Sequence, residues 1–280
     1  MAGNVRIVTD STADIDQTMA RTLGIDVVPI YVRIGEKTYR DGVDLSPDAF
    51  YRHLVDAPAH PITAQPGPDD LLKAYGAGGG GSGIVSIHLS SKISGTWNSA
   101  VLARDMALKP AEIEVVDSRL NSAGLALVVM AAARVAGTGA ALADVVAETR
   151  AACEQVKMMA LFDTMKYLAR GGRVSPAVAL AAGILHVRPV LTFRDGEIVR
   201  AGLVRSRADG KRRLLRFIQD MGQVSEMAVS HSCEAAELQA FLDDVAPLFD
   251  RSAIHVFHMG AALGVHGGPG VIVVAVRRRG

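Results

Sequence analysis

Ile84-Val85-Ser86-Ile87-His88-Leu89 runs straight into Ser90-Ser91-Lys92-Ile93-Ser94-Gly95-Thr96, and a helical register resumes at Trp97-Asn98-Ser99-Ala100-Val101. An apolar strand that empties into serine, threonine and glycine before a helix sets backbone N–H groups and hydroxyls at the strand's carboxyl end. Ligands bind there in open α/β sheets. The arrangement recurs. Val5-Arg6-Ile7-Val8 leads into Thr9-Asp10-Ser11-Thr12, and Ile113-Glu114-Val115-Val116 into Asp117-Ser118. These donors are mostly neutral, which suits a small anionic head group better than a large polyanion.

Around these junctions strand and helix signals alternate. Strands are predicted over 5–8, 26–30, 84–89 and 113–116, and helices over 14–23, 68–75, 96–108 and 123–135. Such repeats specify a parallel sheet with helices on both faces. The second half differs. A helix over 141–154 leads into strands at 158–162, 190–193, 198–202, 227–230, 253–258 and 271–276, with helices at 211–221 and 235–249. Arg194-Asp195-Gly196-Glu197 joins two of the strands, and Asp-Gly is a hairpin signal. The expected fold is α/β in two domains. Residues 1–155 form an N-terminal three-layer α/β/α parallel-sheet domain. Residues 156–280 form a C-terminal α+β domain with a mixed sheet.

Composition narrows the function. At 280 residues the chain can bury a large core, and a net charge of +1 gives no general pull on nucleic acid or membranes. Aromatics are 5%, too few for a base-stacking platform. Cys153 and Cys233 lie far apart, with no CxxC pair and no metal-ligand spacing, which fits a reducing compartment. The first residues lack the apolar core of a secretory signal. The most apolar run, 123–133, is too short to cross a bilayer. The expectation is a cytoplasmic protein with no metal, no cofactor and no stable membrane insertion.

Several motifs invite chemistry. The glycine tract 76–83 is not a phosphate loop, because it lacks Gly-Lys-Ser/Thr and precedes a strand instead of following one. Ser94-Gly95-Thr96 alone reads as a helix N-cap, but Ser90, Ser91, Ser94 and Thr96 crowd one loop. Thr63-Ala64-Gln65-Pro66-Gly67-Pro68 is a polar loop before a helix. Gly264-Val265-His266-Gly267-Gly268-Pro269-Gly270 sets His266 among glycines, where backbone can approach a ligand closely. In Leu168-Ala169-Arg170-Gly171-Gly172-Arg173, Gly171 reads as a helix stop, which leaves Arg173 to meet an anion or a partner's phosphate. Arg205 offers another guanidinium. Ser94, His266 and Asp10 or Asp117 would make a hydrolase-like set, yet no Gly-x-Ser-x-Gly elbow exists. Asp10-Ser11-Thr12 lacks the second acid of a phosphatase Asp-x-Asp, and no Gly-x-Gly-x-x-Gly follows a strand.

Taken in order, Val8-Thr9-Asp10-Ser11-Thr12-Ala13-Asp14, Thr63-Ala64-Gln65-Pro66, Leu89-Ser90-Ser91-Lys92-Ile93-Ser94-Gly95-Thr96, Val116-Asp117-Ser118, Tyr167-Leu168-Ala169-Arg170-Gly171-Gly172-Arg173-Val174 and His266-Gly267-Gly268-Pro269-Gly270 resemble the DegV family. Its members include fatty-acid-binding subunits of bacterial fatty acid kinase. The resemblance implies one long-chain fatty acid between two α/β domains, with its tail in an apolar tunnel. Thr63, Ser94 and His266 would hold the head group, joined by Arg205. Gly95 and Thr96 complete the expected fatty-acid-binding set, and Arg173 is the expected partner or phosphate contact. No catalytic residue is expected. ATP and metal would belong to a separate kinase subunit that phosphorylates the carboxylate to an acyl phosphate. The alternative is a Ser/His-dependent lipid hydrolase or acyltransferase. Two departures stand out: the family often has Ser where this chain has Ala64, and Thr where it has Gly267. The runs 123–133 and 177–185, rich in small and unbranched residues, read mostly as ordinary core, the first as a buried helix, and could also line a narrow tunnel.

Overall fold

The computed structural model describes residues 4–56, 60–76, 82–173 and 187–279. Strands β1 (Arg6–Asp10), β2 (Ile25–Val28), β6 (Ile84–His88) and β7 (Ile113–Asp117) form a parallel sheet in the order β2-β1-β6-β7. Successive side chains of a strand point to opposite faces. Ile7, Val85 and Ile87 therefore join α1 (Gln17–Leu23) and α5 (Ser122–Gly137) on one side. Val8 and Ile84 meet α3 (Pro68–Gly76) and α4 (Thr96–Met106) on the other. Helix α1 starts three residues later than the periodicity suggests. Asp14 turns left-handed at φ 56°, and the Asp16 carboxylate caps the helix by accepting from Thr18 N–H and Met19 N–H, both at 2.8 Å.

At Val156 the chain enters a six-stranded mixed sheet. It is built from β8 (Val156–Leu161), β9 (Arg188–Arg194), β10 (Glu197–Val204), β11 (Val224–His231), β12 (Ile254–His258) and β13 (Ile272–Arg278), in the order β10-β9-β8-β13-β11-β12. Only the β11–β12 pair is parallel. Met159, Leu161, Met227 and Val274 face α8 (Arg207–Asp220) and α9 (Ala235–Val245). Met158, Ala160, Leu191 and Val273 face the opposite way, toward α5. Helix α6 (Leu142–Gln155) packs on α5 and delivers the chain to β8.

Helix α5 is apolar on every side and lies between the two sheets, as such a helix must. The run 123–133 is thus core and not tunnel wall. The other run, 177–185, lies outside the described residues. The sequence reading lacks a third, antiparallel sheet, β4-β3-β5, made of β3 (Tyr31–Ile34), β4 (Lys37–Arg40) and β5 (Ile62–Ala64). Helix α2 (Pro47–Asp56) and the short α10 (Ala261–Gly267) pack on it through Phe50, Ala261 and Val265. Strands of three or four residues with a polar face carry no period long enough to read.

Candidate functional site

A cavity of about 340 Å³ lies where the inner face of the mixed sheet meets the carboxyl ends of the parallel strands, β5 and α10. Met158, Ala160, Leu191, Phe193, Ile198 and Val273 supply an apolar wall. Thr63, Gln65, Ser94, Gly95, His266 and Arg173 are among its polar lining residues. Two of them are hydrogen-bonded to each other, and a third packs on a fourth. Thr63 Oγ1 lies 2.9 Å from His266 Nε2, and the Gln65 amide lies against Gly95 and donates to Ser99 Oγ at 3.1 Å.

The crowded hydroxyls divide into two roles. Ser90 is buried and donates to the Gly196 carbonyl at 2.6 Å, which ties the loop to the β9–β10 hairpin. Ser91 donates to Asp117 at 2.5 Å, which anchors the loop to the end of β7. Only Ser94 faces the cavity, at the start of α4, with its hydroxyl 2.9 Å from Thr96 Oγ1. Thr96 itself is fully buried and does not line the cavity; it steadies Ser94. An anion at this end sits by the positive terminus of α4.

His266 is carried on the last turn of α10 and not in a loop as the glycines suggest. Ala261-Ala262-Leu263 is good helix former, and the chain leaves the helix only at Gly268. Two carboxylates pin the other end of this helix. Asp14 accepts from Gly260 N–H at 2.9 Å, and also from Ser122 Oγ at 2.6 Å and Ser230 Oγ at 2.7 Å. Asp41 accepts from Ala261 N–H and Ser11 Oγ, both at 2.8 Å. The parallel sheet, α5, the mixed sheet and the small sheet therefore converge on one short helix and set the position of His266.

The helix-stop glycines also exchange roles. Gly172, at φ 64°, is the left-handed residue that ends α7 (Lys166–Gly171). Gly171 makes room instead: a Cβ there would stand 2.1 Å from His266 Nδ1.

Burial, reinforced by the positive charge of Arg173, pushes the His266 imidazole down to about 4. The ring is neutral near pH 7, and its buried Nδ1 has no hydrogen-bond partner among the described residues. The unfolded chain takes up this proton below about 6.5 and the folded one only below about 4. The contribution of His266 to stability is therefore lost as pH falls from about 6.5 to about 4. An NMR titration of the free protein is expected to show the His266 ring titrating near 4, and a carboxylate ligand is expected to raise that midpoint. A free-state midpoint at the ordinary histidine value would mean that the ring is open to solvent.

Of the residues expected from sequence, the structure brings Thr63, Ser94, Gly95, His266 and Arg173 to one cavity. Arg205 is not among its lining residues. It is exposed just beyond β10, at the edge of the mixed sheet, and its carbonyl accepts from Arg188 at 3.5 Å. Both departures from the family pattern, Ala64 and Gly267, border the cavity. Sequence reasoning missed Gln65, Asp14, Asp41 and the packing role of Gly171. The only signal for the first two was their presence inside the quoted motifs.

The hydrogen bonds do not favour a hydrolase. Ser94 is bonded to Thr96 and His266 to Thr63, so Ser94 and His266 do not pair; the serine–imidazole contact that does form, Ser86 Oγ to His88 Nε2 at 2.7 Å, is wholly buried and does not line the cavity. Asp10 is held by Thr12, His88 and the Leu89 N–H, and Asp117 by Ser91. Among the described residues no cluster of three or more His, Cys, Asp or Glu side chains could hold a metal. None of the described helices is long and apolar enough to cross a membrane.

Fold and site together define a class: an α/β protein of two large sheets and one small one, built around a largely apolar cavity with a polar, hydrogen-bonding end. The chain belongs to the DegV family, whose model, described as "Uncharacterised protein, DegV family", matches residues 4–279. A DegV domain-containing protein of Caldanaerobacter subterraneus is 34% identical over 280 residues, which is 95% of each chain. Two solved structures are similar over nearly the whole length. One, described as fatty acid binding of a DegV family protein from Thermus thermophilus, has a TM-score of 0.90 at 28% identity, covering 99% of this chain and 100% of that one. The other, DegV, a fatty acid binding protein from Bacillus subtilis, has a TM-score of 0.88 at 28% identity with the same coverage.

Proposed function

We propose that this protein binds one long-chain fatty acid, tail along the mixed sheet and carboxylate at Thr63, Ser94 and His266. The observation that carries the reading is the cavity itself, an apolar wall closed at one end by Ser94, Gly95, Gln65, Thr63 and a neutral His266. A carboxylate wants a few convergent donors, and an acyl tail wants apolar surface. The relatives described as fatty acid binding proteins support it. We read the passage at Val156 as the boundary between two domains, 1–155 and 156–280, with the ligand between them.

The bound carboxylate is then presented to a separate kinase subunit in the cytoplasm. That subunit holds ATP and metal and transfers the γ-phosphoryl group to a carboxylate oxygen, giving an acyl phosphate and ADP. This chain is a carrier in that reaction and contributes no catalytic group. Arg173 would meet the partner. It is exposed, it lines the mouth of the cavity, and no ion pair among the described residues includes it. One guanidinium N–H donates to the Gly171 carbonyl, and an arginine fork can pair bidentately with phosphate.

The kinase step is tested by mixing loaded protein with the kinase and ATP and trapping acyl phosphate as its hydroxamate. Arg173→Ala is expected to lower that yield far more than it lowers fatty acid affinity. Full turnover in a variant that merely melts early would assign Arg173 to stability instead.

A further inference from the structure

A second cleft, of about 570 Å³, adjoins the first cavity. Met158, Thr192 and Phe193 line both. The shared wall exists because β8 and β9 separate there. Their pairing stops at Met159–Thr192, although β8 reaches back to Val156 and β9 on to Arg194. Thr192 is fixed at this fork, since its hydroxyl donates to the Met158 carbonyl at 2.6 Å. The movable parts of the wall are the side chains of Met158 and Phe193.

Met158 is suited to move. Methionine is unbranched and fills irregular gaps. Its sulfur lies in a notch of α5 left by Gly124, where a Cβ would come within 2.8 Å of Sδ. Beyond the wall the cleft has apolar surface from Val116, Leu120 and Val156. Burial pushes the neighbouring Cys153 thiol up to about 12, so it too is a neutral wall. At the rim, Arg119, Arg150 and Lys157 are offset by Asp117, Glu154 and Asp195. The rim therefore offers an anionic head group no net attraction, whereas an apolar tail end needs none.

We propose that this second cleft receives the distal end of an acyl chain too long for the first cavity, and that Met158 and Phe193 form the gate that limits chain length. The proposal rests on the fatty acid reading of the first cavity. It makes these two residues specificity determinants that no head-group contact reveals.

The test is a titration of the delipidated full chain with myristate, palmitate, stearate and arachidate, in wild type, Met158→Ala and Cys153→Phe. Met158→Ala opens the wall, and the ratio of arachidate to palmitate affinity is expected to rise about tenfold, the effect of burying about two more methylenes. Cys153→Phe fills the cleft from outside the first cavity, and the ratio of arachidate to myristate affinity is expected to fall by about the same factor. Melting curves confirm that each variant is folded, and either variant alone decides the question if the other is not. The same length profile in all three proteins, or a uniform weakening at every length, would overturn the gate and leave the carrier reading intact. A wild type that binds none of the four acids would remove both.

Discussion

Ser94→Ala is expected to weaken fatty acid binding about 10- to 100-fold without unfolding the protein. The hydroxyl faces the cavity at the start of α4, and its one hydrogen-bonding side-chain neighbour is Thr96. It also accepts from the Thr96 N–H at 3.3 Å, a long hydrogen bond at a helix end. Losing a hydrogen bond to a charged group costs about 1.5–3 kcal/mol, which corresponds to that range of affinity. Ser90→Ala makes the contrast. Ser90 is wholly buried and bonded to Gly196, so its loss should lower the melting temperature more than the affinity. Titration and thermal melting of the two variants separate the roles. Unchanged affinity in a folded Ser94→Ala variant would take Ser94 out of the site.

Asp14→Ala should give the largest loss of stability. The carboxylate is buried and accepts from Ser122, Ser230 and the Gly260 N–H at the head of the helix that carries His266. Each donor left without a partner costs about 1–3 kcal/mol. The hydroxyls can turn elsewhere while the Gly260 N–H cannot, so a total near 3 kcal/mol is expected, or a fall of roughly 6–12 °C in melting temperature. Asp14→Asn keeps the shape and changes the pH response.

Burial raises the Asp14 carboxyl from 3.8 to about 7. The folded state therefore binds a proton that the unfolded state releases, and stability grows as pH falls from about 7 toward 3.8. Asp41, raised by burial to about 6, acts in the same direction over a narrower window. Between about pH 8 and about pH 5 the wild type should gain stability relative to Asp14→Asn. Parallel curves for the two proteins would show that Asp14 does not titrate in that range.

Much of the architecture is legible from residues alone. The parallel strands announce themselves because both their faces are buried and their ends are marked by Ser, Thr, Asp and Gly, as at Leu89-Ser90-Ser91. The hairpin at Asp195-Gly196 and the long apolar α5 are equally plain. The small sheet is not legible, because β3, β4 and β5 are short and gain their stability from α2 and from α10, which lies about 200 residues away in sequence. The site divides in the same way. Thr63, Ser94 and His266 stand in motifs whose composition is odd enough to notice. The direction in which a hydroxyl points is not in the composition, so Ser90 and Ser91 look as functional as Ser94. Arg205 looks like a head-group ligand until the sheet edge carries it to the surface. Asp14 and Asp41 read as ordinary polar residues, because their role is to hold α10 and arises only where distant segments meet.

Native mass spectrometry of gently purified protein, followed by denaturation and lipid extraction, shows whether a fatty acid occupies the cavity. One noncovalently bound long-chain fatty acid per chain is expected, released intact on unfolding, with Ser94 unmodified. An acyl adduct on Ser94, or a chain that carries no lipid and takes up none on incubation with palmitate, would contradict it.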